Sequence, residues 1–258
     1  MQEQNAESIG IPNESATQTG DPGGHASPVT VSPGKRLQLE EKPAAAEEPH
    51  PEIWSAVLSA LGAVVSIPAI AALVMRAPSD PWHTWSISLY GLGLVSMFSA
   101  SAVYHWCGGT EESAPTMRKL DYCAIGLMIA GGFTPYILLG MRTTFGLSLL
   151  GVIWAIAALA IGVIALRPKF SKWSFIALYL LMGWLGLFIF IPLSHVIGWE
   201  GVGLTLLGGV IYSIGAVVFN SGGTLPTPLT FAEHEIWHLC ILAGAGIHFW
   251  VFYAYLLP

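Results

Sequence analysis

"FAEHEIWHLCILAGAGIHFWVFYAYLLP", running from Phe231 to Pro258, opens with His234, Glu235 and His238 in the order H-E-x-x-H. On a soluble helix those letters are the signature of a zinc protease, with two imidazoles one turn apart and a glutamate base between them. Here the motif heads the last long apolar segment of a chain whose other segments have the same character. The rest of the sequence decides between a protease and a different metal site written in the same letters.

Of the 258 residues, 53% are hydrophobic and only 10% are charged. A soluble globular protein carries about 25% charged residues, so the composition points to a membrane protein. The net charge of −6 is unevenly placed: residues 1–52 hold nine acids and three bases, and residues 53–258 hold seven of each. Residues 1–50 are rich in Pro, Gly, Ser, Ala and Glu and show no apolar periodicity. Such a stretch buries too little surface to offset its ordering entropy, so it is expected to be a disordered acidic tail on a membrane domain spanning 51–258. No basic stripe is present to neutralise phosphates, which argues against nucleic acid as a partner. Cys107, Cys123 and Cys240 are an odd set without close spacing, and no disulfide framework is expected. The opening "MQEQNAESIGIPNESATQTG" has neither a basic n-region nor an apolar h-region, so the first apolar segment is expected to act as its own insertion signal.

Seven apolar stretches lie near residues 53–75, 84–106, 119–139, 147–166, 173–193, 200–219 and 233–256. Each is roughly the 20 residues that a helix needs to cross about 30 Å of hydrocarbon. The alternation of a barrel lumen is missing. The expected fold is therefore all-α, a seven-transmembrane helix bundle. With the N-terminus cytoplasmic, the inner side holds Lys35, Arg36, Lys42, Arg118, Lys119, Arg167, Lys169 and Lys172, and the outer side holds Arg76 and Arg142. That bias places the N-terminus inside and the C-terminus outside a cell membrane, plasma or bacterial inner.

Ionisable groups within spanning segments are costly and usually functional. In this topology His105 ends the second helix, Asp121 begins the third, and His234, Glu235 and His238 begin the seventh, all at the cytoplasmic level. His234 and His238 lie about 40° apart around a helix and so face one way. Ser101 and His105 share the same i, i+4 relation. Three neutral imidazoles with an open fourth position form a catalytic type of Zn2+ site, whose bound water is acidified toward neutral pH. Asp121 is placed to accept that water's proton, and Ser101 to orient His105 or to donate to a developing oxyanion. His83 and His195 read as interfacial residues. His248 returns to the azimuth of His234 about 20 Å further along, where packing or a supporting role suits it better than ligation. Each cysteine follows a candidate residue by two positions, about 200° of rotation, so the thiols should point away from the site and pack.

At these residues the sequence resembles a known family. "SASAVYHW" supplies S-x3-H from Ser101 to His105, "KLDYCAIGLMIAGGFTPY" the third-helix pattern around Asp121, and "HEIWHLCILAGAGIHF" the final H-x3-H helix. Together they resemble the hemolysin III family, in the wider group of progestin and adiponectin receptors and alkaline ceramidases. The resemblance covers about residues 53–258. It implies an intramembrane zinc near the cytoplasmic side held by His105, His234 and His238, with Asp121 holding the zinc-bound water and Ser101 beside it.

The function expected from these readings is a zinc-dependent hydrolase of a lipid amide or ester, with a ceramide-like or fatty-acyl membrane lipid as substrate or ligand. Three other readings compete with it. One is a lipid receptor or sensor with a structural metal, and another is the pore-forming cytolysin of the family name. The third is an intramembrane protease using Glu235, which lies about 100° from His234 and about 60° from His238 around the helix.

Overall fold

The computed structural model describes residues 53–107, 114–166, 172–221 and 233–257. The expected acidic tail lies outside these residues. In hydrocarbon every backbone N–H and C=O must be satisfied internally, and a helix does this within one segment. The apolar stretches accordingly form α1 (Ile53–Arg76), α2 (Pro81–Cys107), α3 (Ala114–Gly140), α4 (Thr144–Leu166), α5 (Lys172–Trp184), α6 (Phe190–Asn220) and α7 (Glu233–Val251). A 3-10 turn at Leu185–Ile189 joins α5 to α6, and a π turn at Phe252–Leu256 ends α7. Among the described residues six helical runs are long and apolar enough to cross a membrane, and one of these is the 48-residue run Trp173–Asn220.

The sequence reading closes a fifth span near residue 193 and opens a sixth at 200, and the break in the structure falls between the two. Helix continues from Phe190 to Asn220, and Gly198 alone leaves helical geometry, with φ 68° and ψ 170°. A residue without Cβ adopts that conformation at little steric cost, so one glycine replaces the polar linker found elsewhere. The start of α2 is more conventional. Asp80 Oδ1 accepts from the backbone N–H of Trp82 at 2.8 Å and of His83 at 3.3 Å, capping the helix. His83 is engaged there with Asp80, and His195 is exposed on α6.

Large apolar side chains such as Val64, Met75, Leu159, Ile191 and Trp199 face outward. In lipid their burial would bring no hydrophobic gain, and small residues that let backbones approach hold helices together instead. A methyl group at Gly93 of α2 would lie 2.8 Å from Leu127 O and Met128 Cα of α3, and one at Gly131 of α3 would lie 2.6 Å from Leu89 O. The two backbones touch, and they are the helices that carry Ser101, His105 and Asp121. Next to Pro135, Thr134 Oγ1 donates to Ala130 O at 2.8 Å and accepts from Trp154 Nε1 at 3.2 Å, tying α3 to α4.

Candidate metal centre

Three chain segments far apart in sequence deliver the candidate residues to one place. His105 stands in the last turn of α2, Asp121 about two turns into α3, and His234 and His238 in the first turns of α7. His105 Nε2 and His238 Nε2 are 3.1 Å apart. One ring nitrogen from each of His105, His234 and His238 lies within 4.8 Å of the other two. The His234 and His238 rings stack at 5.0 Å and 15°, as the i, i+4 spacing requires. His105 stands edge-on to both, at 4.6 and 4.8 Å. His105 and His238 are buried, and His234 is half-buried.

The donor set suits zinc. Tetrahedral zinc with nitrogen ligands at 2.0–2.1 Å places those nitrogens about 3.3 Å apart. The His105–His238 pair already stands near that spacing. The remaining separations, 4.8 Å at most, close with small side-chain rotations. Three imidazoles leave one position open, the pattern of catalytic rather than closed structural sites. The thiols are elsewhere: Cys123 Sγ faces Ile161 O at 4.0 Å, Cys240 packs against Gly215, and Cys107 is exposed.

Asp121 is buried and takes a hydrogen bond from the Ser101 hydroxyl. Behind Ser101 stands a residue that the sequence reading missed. Ser59 of α1, 1% exposed, donates from Oγ to Ser101 Oγ at 3.1 Å and stands 3.2 Å from His238 Nδ1. Ser59 gives its single hydroxyl proton to Ser101, so toward His238 Nδ1 it can only accept. Ser101 then donates to Asp121, Ser59 to Ser101, and His238 Nδ1–H to Ser59. The proton on Nδ1 leaves the Nε2 lone pair of His238 facing His105, the tautomer that a metal ligand needs. The sequence carried one signal for Ser59, the small-residue stripe Ser55, Ser59, Gly62 and Ser66 along a single face of α1, all of it buried.

These groups open into a cavity of about 450 Å³, which Ser59, Ser101, Asp121, His234 and His238 line at one end. Glu235 shares the first turn of α7 but does not line the cavity, whereas Asp121 does. His248 is not part of the histidine group. Its Nδ1 is 2.8 Å from the Tyr136 hydroxyl, and its ring stacks on Tyr212 at 5.6 Å.

Residues 47–249 match the family model described as haemolysin-III related. The chain is 34% identical over 217 residues to Hemolysin-3 of Bacillus cereus, covering 80% of this chain and 92% of the relative. It is 30% identical over 215 residues to a Hemolysin-3 homolog of Bacillus subtilis, covering 80% and 96%. It is 28% identical over 200 residues to the monocyte to macrophage differentiation factor of Homo sapiens, covering 75% and 81%. With its apolar helices and this likeness over most of its length, the chain is a multi-pass membrane protein that belongs to the haemolysin-III-related family.

Proposed function

We propose that this is a seven-helix membrane zinc protein that hydrolyses a lipid amide or ester, with a ceramide-like or fatty-acyl lipid as substrate. The observation that carries the reading is one cavity of about 450 Å³ lined by His234 and His238 of the histidine cluster and by the Ser101–Asp121 pair. Zinc bound by His105, His234 and His238 supplies a Lewis acid and lowers the pKa of water bound to it. Asp121 takes the proton of the attacking water on its carboxylate and returns it to the leaving group. Ser101 donates to that carboxylate and holds it in position, while Ser59 holds the tautomer of His238. Apolar walls that include Ile125, Met128 and Ile241 accommodate an acyl chain and exclude bulk water.

Support for seven crossings comes from the run Trp173–Asn220, whose 48 residues contain the break at Gly198. As a straight helix it would measure about 72 Å, more than twice the hydrocarbon thickness. Folded at Gly198 it makes two spans. The N-terminus is then cytoplasmic and the C-terminus external.

The test is metal analysis together with lipid turnover of the purified protein. Wild type is expected to retain zinc, and the His234→Ala/His238→Ala double variant to lose it. Asp121→Asn should keep zinc and lose turnover, while Glu235→Gln should keep both. Turnover lost in Glu235→Gln but kept in Asp121→Asn would transfer the role to the protease-type glutamate. Zinc retained by a wild type that turns over no lipid would make the metal structural and the protein a lipid sensor. The cytolysin reading rests on the name Hemolysin-3 carried by relatives. Zinc-independent ion flux through liposomes containing the protein is the result that would favour it.

A further inference from the structure

We propose that the end of the cavity remote from the histidine cluster is a second, polar subsite, built by Tyr90, Tyr136, Thr205, Tyr212 and His248, which takes a hydroxyl group on the distal part of the lipid chain. The proposal rests on the lipid-hydrolase reading and narrows its substrate class to amphiphiles with a second polar group.

All five residues line the same cavity as the metal centre. They come from four helices: Tyr90 from α2, Tyr136 from α3, Thr205 and Tyr212 from α6, and His248 from α7. Part of the set is internally satisfied. The Tyr136 hydroxyl is 2.8 Å from His248 Nδ1 and accepts from Thr205 Oγ1 at 3.2 Å. The rest is not. The Tyr90 and Tyr212 hydroxyls are buried and have no hydrogen-bond partner among the described residues, although both lie within electrostatic reach of the Tyr136 hydroxyl. Phenylalanine would fill the same space without burying an unpaired donor and acceptor, so packing alone gives no reason for tyrosine at either position. Two unpaired hydroxyls beside a satisfied trio, on residues that all line the cavity, offer hydrogen bonds to a polar group that settles among them.

The distance between the two ends sets the size of the ligand. His238 and His248 are ten residues apart on α7, about 15 Å along the helix, a span matched by an extended chain of about twelve carbons. Between them the cavity wall is apolar, with Ile241 and Ala245 on α7 and Met97 on α2. A polar head at the imidazoles, an alkyl chain along this wall and a hydroxyl among the tyrosines fit that order of surfaces.

The test uses the purified, zinc-loaded full chain and two probes, dodecanoate and 12-hydroxydodecanoate, with bound ligand counted by native mass spectrometry. Wild type should bind the hydroxy acid about tenfold more tightly than the plain acid, as one good buried hydrogen bond allows. The Tyr90→Phe/Tyr212→Phe double variant should bind both acids equally and the plain acid as wild type does. Without ligand its thermal midpoint should equal or exceed that of wild type, because the lost hydroxyls were unpaired. Equal binding of the two acids by wild type, the outcome if ordered water alone fills the subsite, would overturn the proposal. So would failure of both acids to bind, or a fall in the ligand-free midpoint of the double variant. Because the readout is binding, a hydroxyl preference without lipid turnover keeps the subsite and removes the hydrolase. Turnover without the preference does the reverse.

Discussion

Ser59 illustrates how a small side chain governs a metal ligand. It touches no candidate ligand nitrogen on the metal-facing side, yet its oxygen is 3.2 Å from His238 Nδ1 and its proton goes to Ser101. Replacing it with alanine removes the acceptor that Ser59 offers to the buried His238 Nδ1–H and weakens the hold on the ring's tautomer. Ser59→Ala should therefore lower zinc affinity by about 10- to 100-fold, the usual cost of a lost supporting hydrogen bond, with helical content unchanged. Zinc retained after dialysis against a graded chelator series measures this, and retention equal to wild type would exclude the tautomer role. The contrast between Ser59 and the histidines also shows what was legible at this scale. Imidazoles in apolar segments are expensive and stand out. A serine in a membrane helix commonly bonds its own backbone, as Ser66 does to Gly62 O at 2.7 Å and Ser213 to Gly209 O at 2.8 Å. Ser59 is the same letter with a different partner, and only the packing of α1 against α2 and α7 distinguishes them. Ser101 was legible because it stands four residues before His105 on the same helix.

At the scale of elements, the site depends on how closely α2 and α3 approach. Ser101 and His105 ride on one and Asp121 on the other, so a spacer between the helices should dismantle the site from a distance. A Cβ at Gly93 would lie 2.8 Å from α3 backbone. Gly93→Leu is expected to lower the thermal midpoint and the zinc content together. Gly162→Leu on α4, where nothing lies within 4 Å of the added carbon, should change neither. Equal behaviour of the two variants would show that the α2–α3 contact does not support the site. Gly198 tests a different constraint. Nothing crowds its Cβ position, so the cost of Gly198→Ala comes from φ 68° alone. Destabilisation of about 1–3 kcal/mol is expected from the shift of the unfolding midpoint, and a change of only a few tenths would mean that the backbone there relaxes. This is also where the sequence was least readable. The breaks around α1 and α2 carry Pro and charged residues that mark helix ends, as in "RAPSDP". Within α6 the marks are sparser, Pro192 and Glu200 alone, and the chain departs from helix at the single residue Gly198 between them.

For the whole molecule, the histidine cluster constrains how often the chain crosses the membrane. α2 ends and α7 begins at the cluster, since His105 and His238 are 3.1 Å apart. α3 leaves that side and α4 returns to it. The run Trp173–Asn220 must then begin and finish on the cluster side, which requires an even number of crossings. At 48 residues the run is too long to cross none, so on the proposed reading it crosses twice and the total is seven. An odd total puts the termini on opposite sides, and the proposed orientation, with the N-terminus in the cytoplasm, follows the distribution of Lys and Arg, eight against two. The charge asymmetry and the seven apolar stretches were both readable from the sequence, and the contact between His105 and His238 supplies a separate argument for the odd parity. In a background with Cys107, Cys123 and Cys240 replaced by serine, single reporters Gly10→Cys and Pro258→Cys test the topology with a membrane-impermeant maleimide. The reporter at position 258 should label in intact cells, and the one at position 10 only after permeabilisation. Labelling of both from one side would mean an even number of crossings. α7 would then begin on the side opposite to His105, where it could not share a metal with α2.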